Sequence, residues 1–324
     1  MMDISIPYYE DNTRVSNSSI GYFLESPMYF KQKMDGTIAN EESSAMARGT
    51  MIHEYILQPD EFNKDYVVCP ENIQVPQSAQ QRSFCKLVAK SLEIEPLRAF
   101  VSAYKDTYSI VGKSEDKIAL EATKLASMLK SYIDLLKDGR TIMPEYMFNK
   151  CEKTRNNILE HKFASKLLNR KDVEEHHEFH INWEYNGVPC KSLLDCVQFD
   201  YKNKECTIID LKTTVKINHF EESIKKYDYM RQLCFYSLAA EWYLINEKNV
   251  NMDEWTFKFY IVALDSGYDS TVRVFRFDYI DILQRDATIH KALCDIKWHK
   301  ENNLWEHSRE YYEGDGCEKL NLEF

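Results

Sequence analysis

The sequence predicts a mixed α/β or α+β fold: a central sheet, antiparallel where it begins, flanked by helices and preceded by a helical insertion. Three observations predict it. Apolar residues recur at helical spacing through much of the first half of the chain, and polar–apolar alternation takes over from His176. A long helical pattern over 220–244 then separates that alternating stretch from two more strand-like runs, so the order is helices, meander, helix, strands.

In chain order, Asn17 or Ser18 can cap a short helix containing Ile20, Phe23 and Leu24, and Pro27 opens another turn with Tyr29 and Phe30. In Ala45–Pro59, Gly49 gives a flexible entry and Met51, Ile52, Tyr55 and Ile56 form an apolar stripe. His53 sits beside that stripe, where a core histidine is the usual reading and a ligand needs outside support. Tyr66-Val-Val is a short strand, and 78–92, 114–137 and 145–168 read as helices. Lys162, Lys166, Arg170 and Lys171 form a basic cluster, read either as a solvated face or as a phosphate-facing edge. Strand 176–185 ends at Asn186-Gly187, a strong hairpin signal, and strand 190–199 follows. The histidines 176, 177 and 180 do not read as a zinc site, because neighbours alternate faces and no cysteine pair accompanies them. Strands 255–264 and 271–277, a closing helix 281–300 and a tail over 300–324 complete the chain. The whole is expected to be one domain, 1–324, with the insertion at 78–170.

The meander concentrates the chemistry. Asp195 lies at the centre of one strand and Asp210-Leu-Lys212 ends the next, fifteen positions later, with the turn-like DYKNK between them. A hairpin brings the two acids together, and alternation puts Asp210 and Lys212 on one face with Leu211 on the other. A carboxylate and an ammonium so placed can hold a metal ion beside a water; taken alone, two surface acids and a solvated lysine are the usual reading. Gln232 and Tyr236, four apart, share a helix face.

Composition narrows the classes. In a chain of 324 residues, 44% are apolar and 29% charged, and no run of about 18 apolar residues spans a membrane. The opening MMDISIPYYEDNTR lacks a basic and apolar leader, and nine scattered cysteines without C-x-x-C spacing fit reduced thiols, so a cytoplasmic location is expected. A net charge of −11 argues against gripping nucleic acid over the whole surface, although a basic lining confined to one channel remains open. There is no Walker A motif, hence no ATPase site.

Together these pieces resemble the RecB-like branch of the PD-(D/E)XK nucleases, most closely the exonuclease VIII (RecE) type. The blocks are Ser16-Asn-Ser-Ser-Ile20 with Ser26-Pro27-Met-Tyr29-Phe30, Gly49-Thr-Met-Ile-His53, Leu194-Asp195-Cys-Val, Asp210-Leu-Lys212 and Gln232-Leu-Cys-Phe-Tyr236, in the family's order. The resemblance implies a restriction-endonuclease-like fold and a Mg²⁺-dependent exodeoxyribonuclease acting on duplex DNA ends 5′→3′, bacterial or phage-encoded, in recombination or phage DNA processing. Asp195 and Asp210, with the Leu211 carbonyl, would bind Mg²⁺ and His53 would add a nitrogen ligand, so Mn²⁺ should substitute. Lys212 would orient or deprotonate the attacking water or stabilise the phosphate. Gln232 and Tyr236 would position the scissile phosphate, and Glu178 would support the site. A homo-oligomeric ring and a single-strand annealing partner are also implied. Ser26 stands where iron–sulfur relatives carry cysteine, so no cluster is expected. Alternatives are a nuclease for single-stranded or flap DNA, or a nuclease-dead DNA-end-binding or assembly protein.

Overall fold

A computed structural model describes residues 6–39, 43–92, 95–267 and 269–317. The chain forms two compact units, one of Glu54–Arg155 and the other of Met1–His53 with Asn156–Phe324.

The 54–155 unit is mostly helical, with helices Pro59–Asp65, Ala79–Lys90, Pro96–Thr107, Glu115–Met128 and Lys130–Lys137. Its core includes Phe84, Val88, Ile118, Leu129 and Ile133, each at most 5% exposed. The expected strand at Tyr66 is present as β1 (Tyr66–Cys69) and pairs in parallel with β2 (Thr141–Pro144). Four residues are too few for β2 to show a period in the sequence. The helix read as 114–137 breaks at Leu129, which ends one segment and starts the next. Pro96 starts a further helix that the sequence reading left out.

The larger unit is built on a five-stranded sheet in the order β3 (Glu174–Tyr185), β4 (Val188–Asp200), β5 (Glu205–Thr214), β6 (Thr256–Asp265) and β7 (Val272–Phe277). Only β5 and β6 run parallel; the other neighbours are antiparallel. Asn186 and Gly187 close β3 onto β4 with φ of 49° and 81°, the two positive angles that a tight hairpin turn requires. The parallel step from β5 to β6 needs a crossover, supplied by helices Phe220–Tyr227 and Tyr229–Asn246. The sequence read these as one helix. They are two because Asp228 adopts the left-handed conformation, φ 46°, and its side chain accepts from the Arg231 N–H to start the second.

Helices Asn17–Glu25, Tyr229–Asn246 and Asp286–Asn302 bury Ile20, Phe235, Ala239, Leu244, Ile289 and Leu293 against Val197, Phe199 and Ile208 of the sheet. Each fully buried aliphatic or aromatic side chain of this kind stabilises the fold by roughly 1.5–3 kcal/mol. Ser16, one residue ahead of the expected cap, caps the first helix in a reciprocal pair with Ser19. Ser26 caps Pro27–Met34 by accepting from the Tyr29 N–H. The C-terminal tail contains a short helix, Arg309–Glu313; its last residues, 318–324, lie outside the described residues. Among the described residues no helix is long and apolar enough to cross a membrane.

Candidate active site

Three adjacent strands set three acids in a row. The β3–β4 pairs His177–Cys196 and Phe179–Leu194 bracket Glu178 opposite Asp195. The β4–β5 pairing stops at Cys196–Ile209, and one further step in that register puts Asp195 opposite Asp210. The strands part there, and the Leu211 N–H donates to Asp195 Oδ2 at 2.7 Å. Glu178 has φ 46°, a conformation that costs a non-glycine residue about 1 kcal/mol or more and is concentrated at functional sites.

Lys212 projects from the face that carries Asp210, as strand alternation requires, and its Nζ lies 2.6 Å from Asp210 Oδ2. Leu211 points the other way and is fully buried. From the crossover helix, Gln232 Nε2 donates to Asp210 Oδ1 at 3.1 Å and to the Tyr236 hydroxyl at 2.8 Å.

The fifth contributing element arrives from far away in sequence. Helix Ser44–Leu57 carries His53, whose Nδ1 is 3.8 Å from Asp195 Oδ2. One ligand atom each from His53, Glu178 and Asp195 lies within 4.8 Å of the other two. Gly49 is interior to that helix and not a flexible entry to it. A Cβ there would stand 2.9 Å from Thr213 Oγ1, so glycine is what lets the helix lie this close to β5.

Burial and mutual charge set the titration of these groups. Burial, reinforced by the charge of Asp195, pushes the Asp210 carboxyl up to about 6, against the pull of Lys212. Burial likewise raises Asp195, opposed by Lys212 and the Leu211 N–H. Burial works against the Lys212 charge, but Asp210 and Asp195 outweigh it and hold the ammonium above its ordinary range. Burial and the Lys212 charge bring His53 down to about 4, so its imidazole is neutral at physiological pH. Tyr236 is raised by burial and by the two acids.

His53, Glu178, Asp195, Asp210, Lys212, Gln232 and Tyr236 thus gather in one cluster, and Leu211 joins it through its backbone N–H. Glu178 stands closer than its supporting part implied, whereas both Asp210 oxygens are engaged by Lys212 and Gln232. The sequence reading missed Tyr229, whose ring centroid lies 5.0 Å from Lys212 Nζ. Its signal was Asp228, an N-cap residue inside what read as one continuous helix.

Residues 16–319 match the family model described as a PDDEXK-like domain of unknown function (DUF3799). No curated protein matches the chain. A crystal structure of a presumed exonuclease from Eubacterium rectale matches with a TM-score of 0.52 at 12% identity, covering 100% of this chain and 97% of that one. At that identity the likeness is one of fold.

Proposed function

Because the chain belongs to the PDDEXK-like domain family, matched over residues 16–319, we propose that it hydrolyses phosphodiester bonds of DNA with a divalent cation, as an exodeoxyribonuclease on duplex ends running 5′→3′. The observation that carries this reading is the approach of His53 to Asp195, 3.8 Å away, beside an Asp210–Lys212 pair 2.6 Å apart. Four of the family's sequence blocks, scattered from residue 49 to 236, supply that one cluster.

The donor set suits Mg²⁺ or Mn²⁺. Carboxylate oxygens are hard ligands, the single neutral imidazole favours Mn²⁺ as a substitute, and a dication would stabilise the charged forms of Asp210 and Asp195 that burial disfavours. Asp195, Asp210, Glu178 and His53 would hold it, with the Leu211 carbonyl as a further oxygen. Bound there, the cation neutralises charge developing on the phosphate and acidifies a water. Lys212, kept cationic by its two acids, orients the attacking water and donates to a phosphate oxygen. Gln232 and Tyr236 hold the scissile phosphate in line. From the resemblance of its sequence blocks to the exonuclease VIII type we also infer a homo-oligomeric ring working beside a single-strand annealing protein in recombination, in the cytoplasm.

The test is an end-labelled linear duplex incubated with Mg²⁺ or Mn²⁺. Early release of the 5′ label as mononucleotide supports the reading. Faster cleavage of single-stranded or tailed DNA than of blunt duplex moves the substrate to flaps or single strands. A wild-type chain inert on all three with both ions overturns the nuclease assignment.

A further inference from the structure

We propose that the chain holds a second metal site, for Zn²⁺, on the face of β4 opposite the acids, formed by Glu175, His177 and Cys196. One ligand atom from each of the three lies within 4.8 Å of the other two. The placement follows from the register. His177 pairs directly with Cys196 across β3 and β4, and Glu175 with Gln198, so all four side chains share one face. Cys196 follows Asp195 in the strand and therefore points away from the cluster that Asp195 joins. The site is independent of phosphodiester chemistry.

The surroundings are built for a ligand. Glu175 Oε1 is 3.0 Å from His177 Nε2. Gln198 Nε2 holds the other carboxylate oxygen at 2.5 Å while also donating to the Leu167 carbonyl at 2.7 Å. Such a polar partner behind a ligand fixes its orientation. Gln198 itself is 0% exposed, yet its Oε1 has no hydrogen-bond partner, a costly state for a buried acceptor beside a candidate ion site. Cys196 is fully buried, whereas Glu175 and His177 are 21% and 31% exposed, which leaves an ion a way in from solvent.

Donor chemistry selects the metal. A thiolate with an imidazole and a carboxylate is borderline to soft, favouring Zn²⁺ over Mg²⁺, with Gln198 Oε1 or a water as fourth donor. The thiol proton leaves to solvent as the sulfur–zinc bond forms. His176 takes no part, being held by Glu174 at 2.8 Å.

The experiment loads the full chain with Zn²⁺, removes the excess by gel filtration and measures bound zinc by mass spectrometry. It then repeats the loading with Co²⁺ and records the near-ultraviolet thiolate-to-cobalt absorption. Wild type and Asp210→Asn are expected to retain zinc and show the band, while Cys196→Ser and Glu175→Gln lose the zinc, and Cys196→Ser the band, with unchanged circular dichroism. Should Cys196→Ser fail to fold, the partly exposed Glu175→Gln decides. Zinc and the cobalt band persisting in a folded Cys196→Ser, or in Glu175→Gln, overturn the proposal, as does a wild type that binds no zinc or zinc lost only with Asp210→Asn.

Discussion

At the scale of residues, charge placement decides what each group does. Lys212 sits between two acids that keep it protonated, which suits orienting and electrostatic work more than proton abstraction. Lys212→Ala and Asp210→Ala are each expected to lower DNA hydrolysis by about 10³-fold or more, with the circular dichroism spectrum unchanged. With the proposed cation bound there, protons would compete with it for the same carboxylates. With Asp210 raised to about 6, Asp195 also raised and His53 lowered to about 4, acid blocks the site through the carboxylates. Cation affinity, measured by Mn²⁺ titration, is therefore expected to rise about tenfold per pH unit from about 4 to about 6 and to flatten above. An affinity that falls with rising pH in that window contradicts the assignment of Asp210 as a ligand.

At the scale of elements, the fold spends particular residues on bringing helices up to strands. Gly49 admits helix Ser44–Leu57 to β5, where a Cβ would meet Thr213 Oγ1 at 2.9 Å. Gly49→Ala is expected to push His53 back and cut turnover by about 10–100-fold with little change in melting temperature, read from kcat at saturating DNA. The Ser16–Ser19 capping pair starts the first helix, and Ser16→Ala should cost about 1 kcal/mol, read from the denaturant midpoint. The serine blocks of the family pattern thus act here through the backbone of the helices they begin. The break at Asp228 has the opposite lesson: a residue that reads as ordinary helix surface turns the chain and seats Tyr229 against Lys212.

For the molecule as a whole, the site is a source of instability that the proposed ion would relieve. Burying Asp195 and Asp210 side by side costs free energy that Lys212 only partly offsets. Mg²⁺ at 100 times its dissociation constant should add about 2.7 kcal/mol to stability and raise the melting temperature, an increment lost with a chelator and absent in Asp210→Ala. The net charge of −11 keeps non-specific attraction to DNA weak, so binding is expected to depend on the cation as much as on basic side chains.

What the sequence determined by itself were the local features: the alternation of β3 to β5, the Asn186-Gly187 turn, and the shared face of Asp210 and Lys212. These follow from periodicity and turn chemistry within a few residues. The closeness of Asp195 to the end of the Asp210 strand was also legible, since a short turn fixes an antiparallel register. Only the tertiary structure decided that His53 meets Asp195, 142 positions away in the chain, and that β1 pairs with β2. It alone showed that one strand carries acids on one face and a thiol beside an imidazole on the other. Those contacts depend on how helices pack against a sheet, and packing is set by the sum of many buried surfaces, which no local pattern encodes.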